Sequence, residues 1–511
     1  MSQQIRTASG LAADSIFIRF LNLLAQPEGW LALLIVAQLL FWTLLPWLLA
    51  TSLPLDVVSD GLSWGHEWQW GYYKHPPLPS WTVELFFEAF GDLGPFLLSQ
   101  VAISATYVLI FLLGREIMPA RRAAVGALLL MGVYYFSIPT PEYNHNIAQM
   151  PLWAAASLAY CMAWKTGALR WWLVLGVAAG LGLLTKYSTG LLLATMVVHL
   201  VVARGSRSAL LSVGPYLAIA VCVAIVSPHL VWLYHNGFPT LHYAVARAGT
   251  STGEAGRFLA PMKFFAAQVL DIAPAVLVSA FAGMLVLDIA QARRDENLRL
   301  LVWLMLGPPV LTILLSLATG LGVRDMWGAP MWNLTGLVLV QAASARWQTA
   351  SLPRLKYSLA GLFFVGLFGY ALANAIVPQI ESKPSRIEWP ARELSRSFAA
   401  IWHDRTHRPL GIVAGDSWLA GLVAMNVAQR PSVWIDASFI KSPWLTPAQV
   451  RREGALVLWR VQEQQAAPPA PLASLPGVRV MGVTTFVWPR TPGAPPLRIG
   501  YGIVPPMAGR R

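Results

Sequence analysis

The chain has 511 residues, 56% of them hydrophobic and only 12% charged, with a formal net charge of +13. Soluble domains carry roughly 25% charged residues, so these proportions exclude an ordinary soluble protein and point to an integral membrane one. The positive balance then belongs to basic loops beside anionic lipid, with a few cations left for an anionic substrate, and not to nucleic acid.

Arg6 and Arg19 precede the first apolar run without a small-residue cleavage site, which predicts a retained first helix beginning near Trp30 and not a removed signal. A span needs about 20 apolar residues. That pattern predicts helices at 29–50, 93–114, 122–138, 145–165, 170–186, 187–203, 209–234, 264–290, 299–318, 329–346 and 355–378, about eleven in all. With the N-terminus inside, the inner loops "GREIMPARRA", "KTGALR", "ARGSRS", "ARRDENLR" and "SARWQTASLPRLK" are all rich in Arg or Lys. The opposite loops (Asp56–His75, Pro139–Asn146, Lys186, His235–Lys263, Gly322–Trp327) are mixed in charge and rich in aromatic residues, Gly and Pro. This asymmetry predicts that they face outward. Cys161 and Cys222, the two cysteines, lie in apolar runs, which argues against a disulfide framework or a cysteine-ligated metal.

After Pro378 the composition changes. "LGIVAGDSWLAG", "PSVWIDASF", "GALVLWR" and "VRVMGVTTFVW" read as short β-rich runs broken by Gly and Pro, with "PAQVRREG" as a helix and "QQAAPPAPLASLP" as a flexible connection. The expected organisation is a membrane part, 1–378, carrying an outer loop at 51–92, and a small outer α/β domain, 379–511.

Charged groups beside a bilayer are costly and mark pathways or sites, and here they gather on the outward loops. Residues 53–81, "LPLDVVSDGLSWGHEWQWGYYKHPPLPSW", hold two aspartates, a glutamate, a lysine, two histidines and six Trp or Tyr residues. Asp56 is either a general base for an attacking hydroxyl or the cap of a short helix after Pro54. Asp60, four residues on, is a second acid or a turn residue beside Gly61. Two prolines fix the backbone after Lys74 and His75, which suit phosphate and sugar hydroxyls, with Tyr73 beside them. Trp64, Trp68 and Trp70 read individually as an interfacial belt. "SIPTPEYNHNIAQMP" adds Glu142, Asn144 and His145 for hydroxyl recognition, Asn144 serving equally as a helix cap. Lys186, in "LLTKYSTG", has no acid nearby in sequence, and a lipid-borne phosphate is its natural partner. Arg247, Arg324 and Asp325 complete the set, Arg324 as a phosphate fork or paired with Asp325. Cations and a carboxylate beside lipid fit a leaving phosphate and an activated hydroxyl. No Gly-rich nucleotide loop is present, so the donor is expected to be lipid-linked.

"DVVSDGLSWGHEWQWGYYKHPP", "LLTKYS" and "VRDMWGAPMW" resemble the GT-C membrane glycosyltransferases, specifically the bacterial glycosyltransferase 39-type branch that includes the lipid A aminoarabinose transferase and the protein O-mannosyltransferases. The resemblance spans roughly Trp30 to Pro378 and the appended domain in outline. It implies a polytopic GT-C fold in the bacterial inner membrane with its site facing the periplasm. It also implies a polyprenyl-phosphate sugar donor, an inverting displacement and an acid in the first outer loop as catalyst. Asp56 matches that acid, although the family often has an Asp-Glu pair where Val57 follows here, which keeps Asp60 in play. Lys74 or His75 matches the loop cation, Glu142 the second-loop acid and Lys186 the donor-phosphate lysine. Some of the family bind a divalent ion here, whereas this mixed cluster points to no metal set and no certain cofactor. The expected acceptor is an envelope lipid or glycan. A secreted protein acceptor, a lipid or solute transporter or flippase, and a non-catalytic scaffold are the alternatives.

Overall fold

The computed structural model describes residues 26–203, 206–249, 253–285, 294–343, 352–461 and 467–507. The readings made at Arg6 and Arg19, at the ends of the 264–290 and 329–346 stretches, and in parts of three basic loops and of the 464–476 connection lie outside these residues. Six described helices are long and apolar enough to cross a membrane: Pro27–Leu49, Leu78–Arg115, Gly214–His235, Gly256–Phe281, Glu296–Thr319 and Leu352–Glu381. The chain is a multi-pass membrane protein.

Other expected spans are shorter or broken. Leu169–Thr185 and Thr189–Val202 are short apolar helices meeting at Lys186. The stretches 122–138 and 329–346 contain helices of 10 residues, Ala120–Leu129, and 8 residues, Thr335–Ala342. At 1.5 Å per residue these are about 15 and 12 Å long, well short of the ~30 Å hydrocarbon core. They pack on each other, Gly336 lying directly against the Gly126 carbonyl with no room for a side chain between. Short helices are tolerated there because they are buried in protein, not exposed to lipid.

Polar contacts fix the two ends of the bundle. Gln38 Nε2 donates to Gln100 Oε1 at 3.0 Å, and Gln100 Nε2 donates to the Thr140 carbonyl at 3.1 Å. This chain ties the first helix to the loop that carries Glu142. At the opposite end Lys165 Nζ donates to the Glu116 carbonyl at 3.1 Å, and Gln341 Nε2 to Asp295 Oδ2 at 2.6 Å. The basic loops therefore meet one another, apart from the aromatic-rich ones.

Beyond the last long helix stand a helix, Ala391–Thr406, and a five-stranded mixed sheet. Its strands are β1 (Ile412–Gly415), β2 (Ser432–Ile435), β3 (Ala455–Arg460), β4 (Arg479–Phe486) and β5 (Leu497–Val504), in the order β2-β1-β3-β5-β4. β1 pairs parallel with β2 and β3; β5 pairs antiparallel with β3 and β4. "DSWLAG" turns out to be helix: Asp416 caps Ser417–Met425 by accepting from Trp418 and Leu419 N–H, both at 3.0 Å. "PAQVRREG" forms the helix Pro447–Glu453, as expected. Within the proline-rich connection a short helix, Ala470–Ala473, is ordered.

The sheet part does not stand apart from the first long loop. Trp64 and Tyr72 of that loop are fully buried in one hydrophobic cluster with Phe398, Trp402, Val413, Leu456 and Ile499. Gly421, on the helix after β1, lies against Ser63 Oγ and Val58, where a larger residue would not fit. Arg430 Nη2 reaches Glu84 Oε2 at 2.9 Å, with the Glu84 side chain completely buried. The backbone N–H groups of Thr51 and Ser52 both donate to the Ile387 carbonyl, at 2.9 and 3.1 Å. Loop and sheet share one core.

Candidate active site

After Pro54 the chain enters a π-helical turn, Val57–Leu62. Such wide turns concentrate at functional sites. Asp56 occupies the cap position but makes no side-chain cap bond, so its carboxylate is not spent on the helix. Its backbone N–H instead donates to Glu142 Oε1 at 3.0 Å, and the Asn144 side chain hydrogen-bonds its carboxylate. Burial holds the Asp56 carboxyl above the usual range, while Arg386, Lys74 and Lys186 oppose the shift with their charges. Burial also raises Glu142, and the neighbouring Asp56 charge adds to it. Asn144 serves a second end as well. Its Oδ1 caps the helix His145–Thr166, accepting from Asn146 N–H at 2.9 Å and Ile147 N–H at 3.3 Å.

Asp60 faces Lys74, Nζ to Oδ1 2.8 Å, and both side chains are largely covered. Burial pushes the Asp60 carboxyl up to about 6 despite that partner. Burial works against the Lys74 ammonium too, but Asp60 and Tyr73 outweigh it and hold the lysine above its ordinary value. The ammonium is further lined by Tyr73, Trp64 and Tyr243, 5.4 to 5.9 Å from the three ring centroids. Trp64 is thus no belt residue. It is fully buried and stacked on Tyr72, with centroids 5.0 Å apart, beneath the lysine. Trp68 and Trp70 remain exposed at 45% and 44%.

Tyr72 N–H donates to the His75 carbonyl at 3.1 Å, closing a turn just before Pro76 and Pro77. That turn lays His75 over His145, ring centroids 4.0 Å apart. Burial, then the charges of Lys186 and Lys74 together with His145, pushes His75 well below its usual value, so it is neutral near pH 7. His145 Nε2 is buried without a hydrogen-bond partner.

Lys186, at the C-cap of the helix ending at Thr185, donates to Asn146 Oδ1 at 2.5 Å. Its neighbour is an amide, which leaves the positive charge uncompensated at contact range. Arg247 is exposed on the helix Pro239–Ala248 and acts on Asp60 and His75 through its charge. Arg324 and Asp325 belong to a separate group. The Asp325 carbonyl accepts from Tyr135 Oη at 2.8 Å and from Gln268 Nε2 at 3.1 Å, and both side chains are exposed. The structure therefore brings Asp56, Asp60, Tyr73, Lys74, His75, Glu142, Asn144, His145 and Lys186 together, sets Arg247 at their margin and leaves the 324–325 pair with other partners. Among the described residues no group of three or more His, Cys, Asp or Glu side chains could hold a metal ion. The donors present do not fit a divalent site.

Three neighbours escaped the sequence reading. Arg386 Nη2 lies 3.6 Å from Glu142 Oε1. Asn146 holds Lys186. Tyr243 forms part of the wall around Lys74 and His75. Asn146 sits in "YNHN", where two amides around a histidine were a visible signal; Arg386 follows the last span with no local pattern to mark it.

Residues 74–232 match the model of the dolichyl-phosphate-mannose-protein mannosyltransferase family. The chain is similar to the lipopolysaccharide core galacturonosyltransferase RgtB of Rhizobium johnstonii, 24% identical over 82% of this chain and 86% of that one. It is also similar to the lipid A galacturonosyltransferase RgtD of the same organism, 26% identical over 56% of this chain and 59% of the other. Its fold superposes on crystal structures of ArnT from Cupriavidus metallidurans. The form bound to undecaprenyl phosphate gives a TM-score of 0.64 at 13% identity, covering 93% of this chain and 98% of ArnT. The apo form gives 0.62 at 12% identity over the same shares. The expectation drawn from the loop motifs holds at the level of fold: the chain has a GT-C fold of the ArnT-like type.

Proposed function

We propose that this GT-C chain is an inverting glycosyltransferase that moves a sugar from a polyprenyl-phosphate carrier to an envelope lipid or glycan at the periplasmic face of the inner membrane. The observation that carries the reading is Asp56. It is a buried carboxylate, free of any capping duty, positioned by Glu142 and Asn144 and surrounded by Lys74, Lys186 and Arg386. Its raised proton affinity suits a general base. The carboxylate takes the proton of an acceptor hydroxyl, whose oxygen attacks the anomeric carbon. The bond from that carbon to the phosphate oxygen breaks, and the carrier phosphate leaves with the electron pair. Lys186 is the cation best placed to meet that phosphate, because its own partner is neutral. Lys74 is already matched by Asp60, so it shapes the floor of the site more than it supplies free charge.

The relatives named above support a uronic acid as the transferred sugar and lipid A or the lipopolysaccharide core as acceptor. The aromatic walls from Tyr73 and Tyr243 and the neutral imidazole of His75 suit the faces and hydroxyls of a sugar ring. Mass spectrometry of envelope lipids, glycans and periplasmic proteins from a deletion strain tests the reading. Wild-type protein should restore a lost sugar mass. Asp56→Asn should restore none, because loss of a general base costs about 10²–10⁴-fold in rate. Full restoration by Asp56→Asn removes this residue from the chemistry.

A further inference from the structure

Two arginines of the C-terminal part, Arg386 and Arg490, lie on segments joined through Glu388. Arg386 precedes Ile387, whose carbonyl accepts from Thr51 and Ser52 N–H, and Trp389 is wedged edge-on between Trp418 and Trp488, each 5.6 Å away. The backbone is fixed while the side chain is 70% exposed, its guanidinium in a loose ion pair 3.6 Å from Glu142 Oε1, beyond hydrogen-bond length. Glu142 Oε1 is already occupied by the Asp56 N–H at 3.0 Å. Arg490 is the converse case. Its Nε and Nη2 are buried and lack hydrogen-bond partners. The nearby Glu388 accepts instead from the Arg490 backbone N–H at 2.7 Å and from Thr491 Oγ1 at 2.9 Å. Those Glu388 contacts hold the Arg490 backbone against the segment that carries Arg386. Buried N–H groups of a guanidinium left without an acceptor are costly, and an anion is the acceptor that best removes the cost.

We propose that Arg386 and Arg490 form a subsite for an acidic group of the substrate, a carboxylate or a phosphate, beside Asp56 and Glu142. The nature of that ligand rests on the transfer reading above. The carboxylate would belong to the transferred sugar, the phosphate to the lipid acceptor. Either places the C-terminal domain in substrate selection, with Arg386 moving from its long contact with Glu142 onto the incoming acid.

Binding is measured on the full-length, detergent-purified chain carrying Asp56→Asn, so the result does not depend on turnover. The donor probes are undecaprenyl-phosphate galacturonic acid and undecaprenyl-phosphate galactose. The acceptor probes are lipid A and its dephosphorylated form. Arg386→Gln should weaken the member of one pair that bears the extra acidic group about tenfold and the member lacking it less than about twofold, with Arg386→Lys recovering part of the loss. Arg490→Lys should act in the same direction, and the exposed Arg386 carries the test if that variant fails to fold. Selectivity in the donor pair assigns the carboxylate; selectivity in the acceptor pair assigns the phosphate. Equal weakening of both members, no weakening, or no binding of any probe overturns the subsite. Sugar transfer by the Asp56→Asn protein would instead count against the base assigned above, leaving the binding result intact.

Discussion

Arg430→Met measures how strongly the sheet holds the loop that carries Asp60, Lys74 and His75. Glu84 lies on the helix Leu78–Phe90, just beyond the two prolines, with its side chain fully buried. Arg430 Nη2 sits 2.9 Å from one oxygen, and its guanidinium covers the Phe87 ring at 5.0 Å. His66 Nδ1 approaches the other oxygen at 3.5 Å from a side chain 39% exposed. Removing one partner of a buried pair costs about 3–5 kcal/mol, because the survivor stays charged and uncompensated. The imidazole offsets a little of that, so the expected loss is near the lower end, about 3 kcal/mol. Glu84→Leu combined with Arg430→Met removes both charges of the pair and should return to within about 1 kcal/mol of wild type. Urea titration of the purified full-length chain, followed by tryptophan fluorescence and compared at a common slope, reads both values. A single variant as stable as wild type, or a double variant as weak as the single, refutes the reasoning.

Catalysis should fail on the acid side at unusually high pH. Burial raises the proton affinity of both Asp56 and Asp60, so Asp60 loses its charge as pH falls through about 6 and Asp56 loses its own above the ordinary value of about 4. A kcat/KM profile that stays level down to about pH 5 contradicts this. Lys186→Met should raise the donor KM about 10-fold or more, the worth of a charge-assisted hydrogen bond; an unchanged KM removes Lys186 from the phosphate. Gly421→Val would bring a Cβ to 2.5 Å from Ser63 Oγ and 2.9 Å from Val58, costing about 1–3 kcal/mol. A lower urea midpoint together with slower transfer is expected, and a wild-type midpoint denies the close contact.

Much of the membrane part was legible because lipid leaves a chain few options: long apolar runs become helices, and basic loops gather at one end. The grouping of Asp56, Lys74, Glu142 and Lys186 was legible for the same reason, each being a costly charge at the end of an apolar run. The short helices at 120–129 and 335–342 misled, since an apolar run reads alike whether it faces lipid or is buried beside another helix. β5 was harder to see. Its "LRIGYGIV" holds two glycines that weaken a strand signal, yet Gly500 is required where the Trp459 indole lies flat against the backbone. Arg386 was invisible as a neighbour of the site, because only tertiary folding brings it to Glu142.

The burial of Trp64 and Tyr72 among side chains of the C-terminal sheet sets the order in which this molecule becomes competent. The loop leaves the ribosome long before Phe398, Leu456 or Ile499 exist, and until they arrive its two largest aromatics have nothing to bury against. The floor beneath Lys74 is therefore the last piece to close. A chain interrupted anywhere before β5 would carry every acid and lysine of the loop and still lack the surface that holds them in place. Formation of the C-terminal sheet is thus the step that fixes the loop.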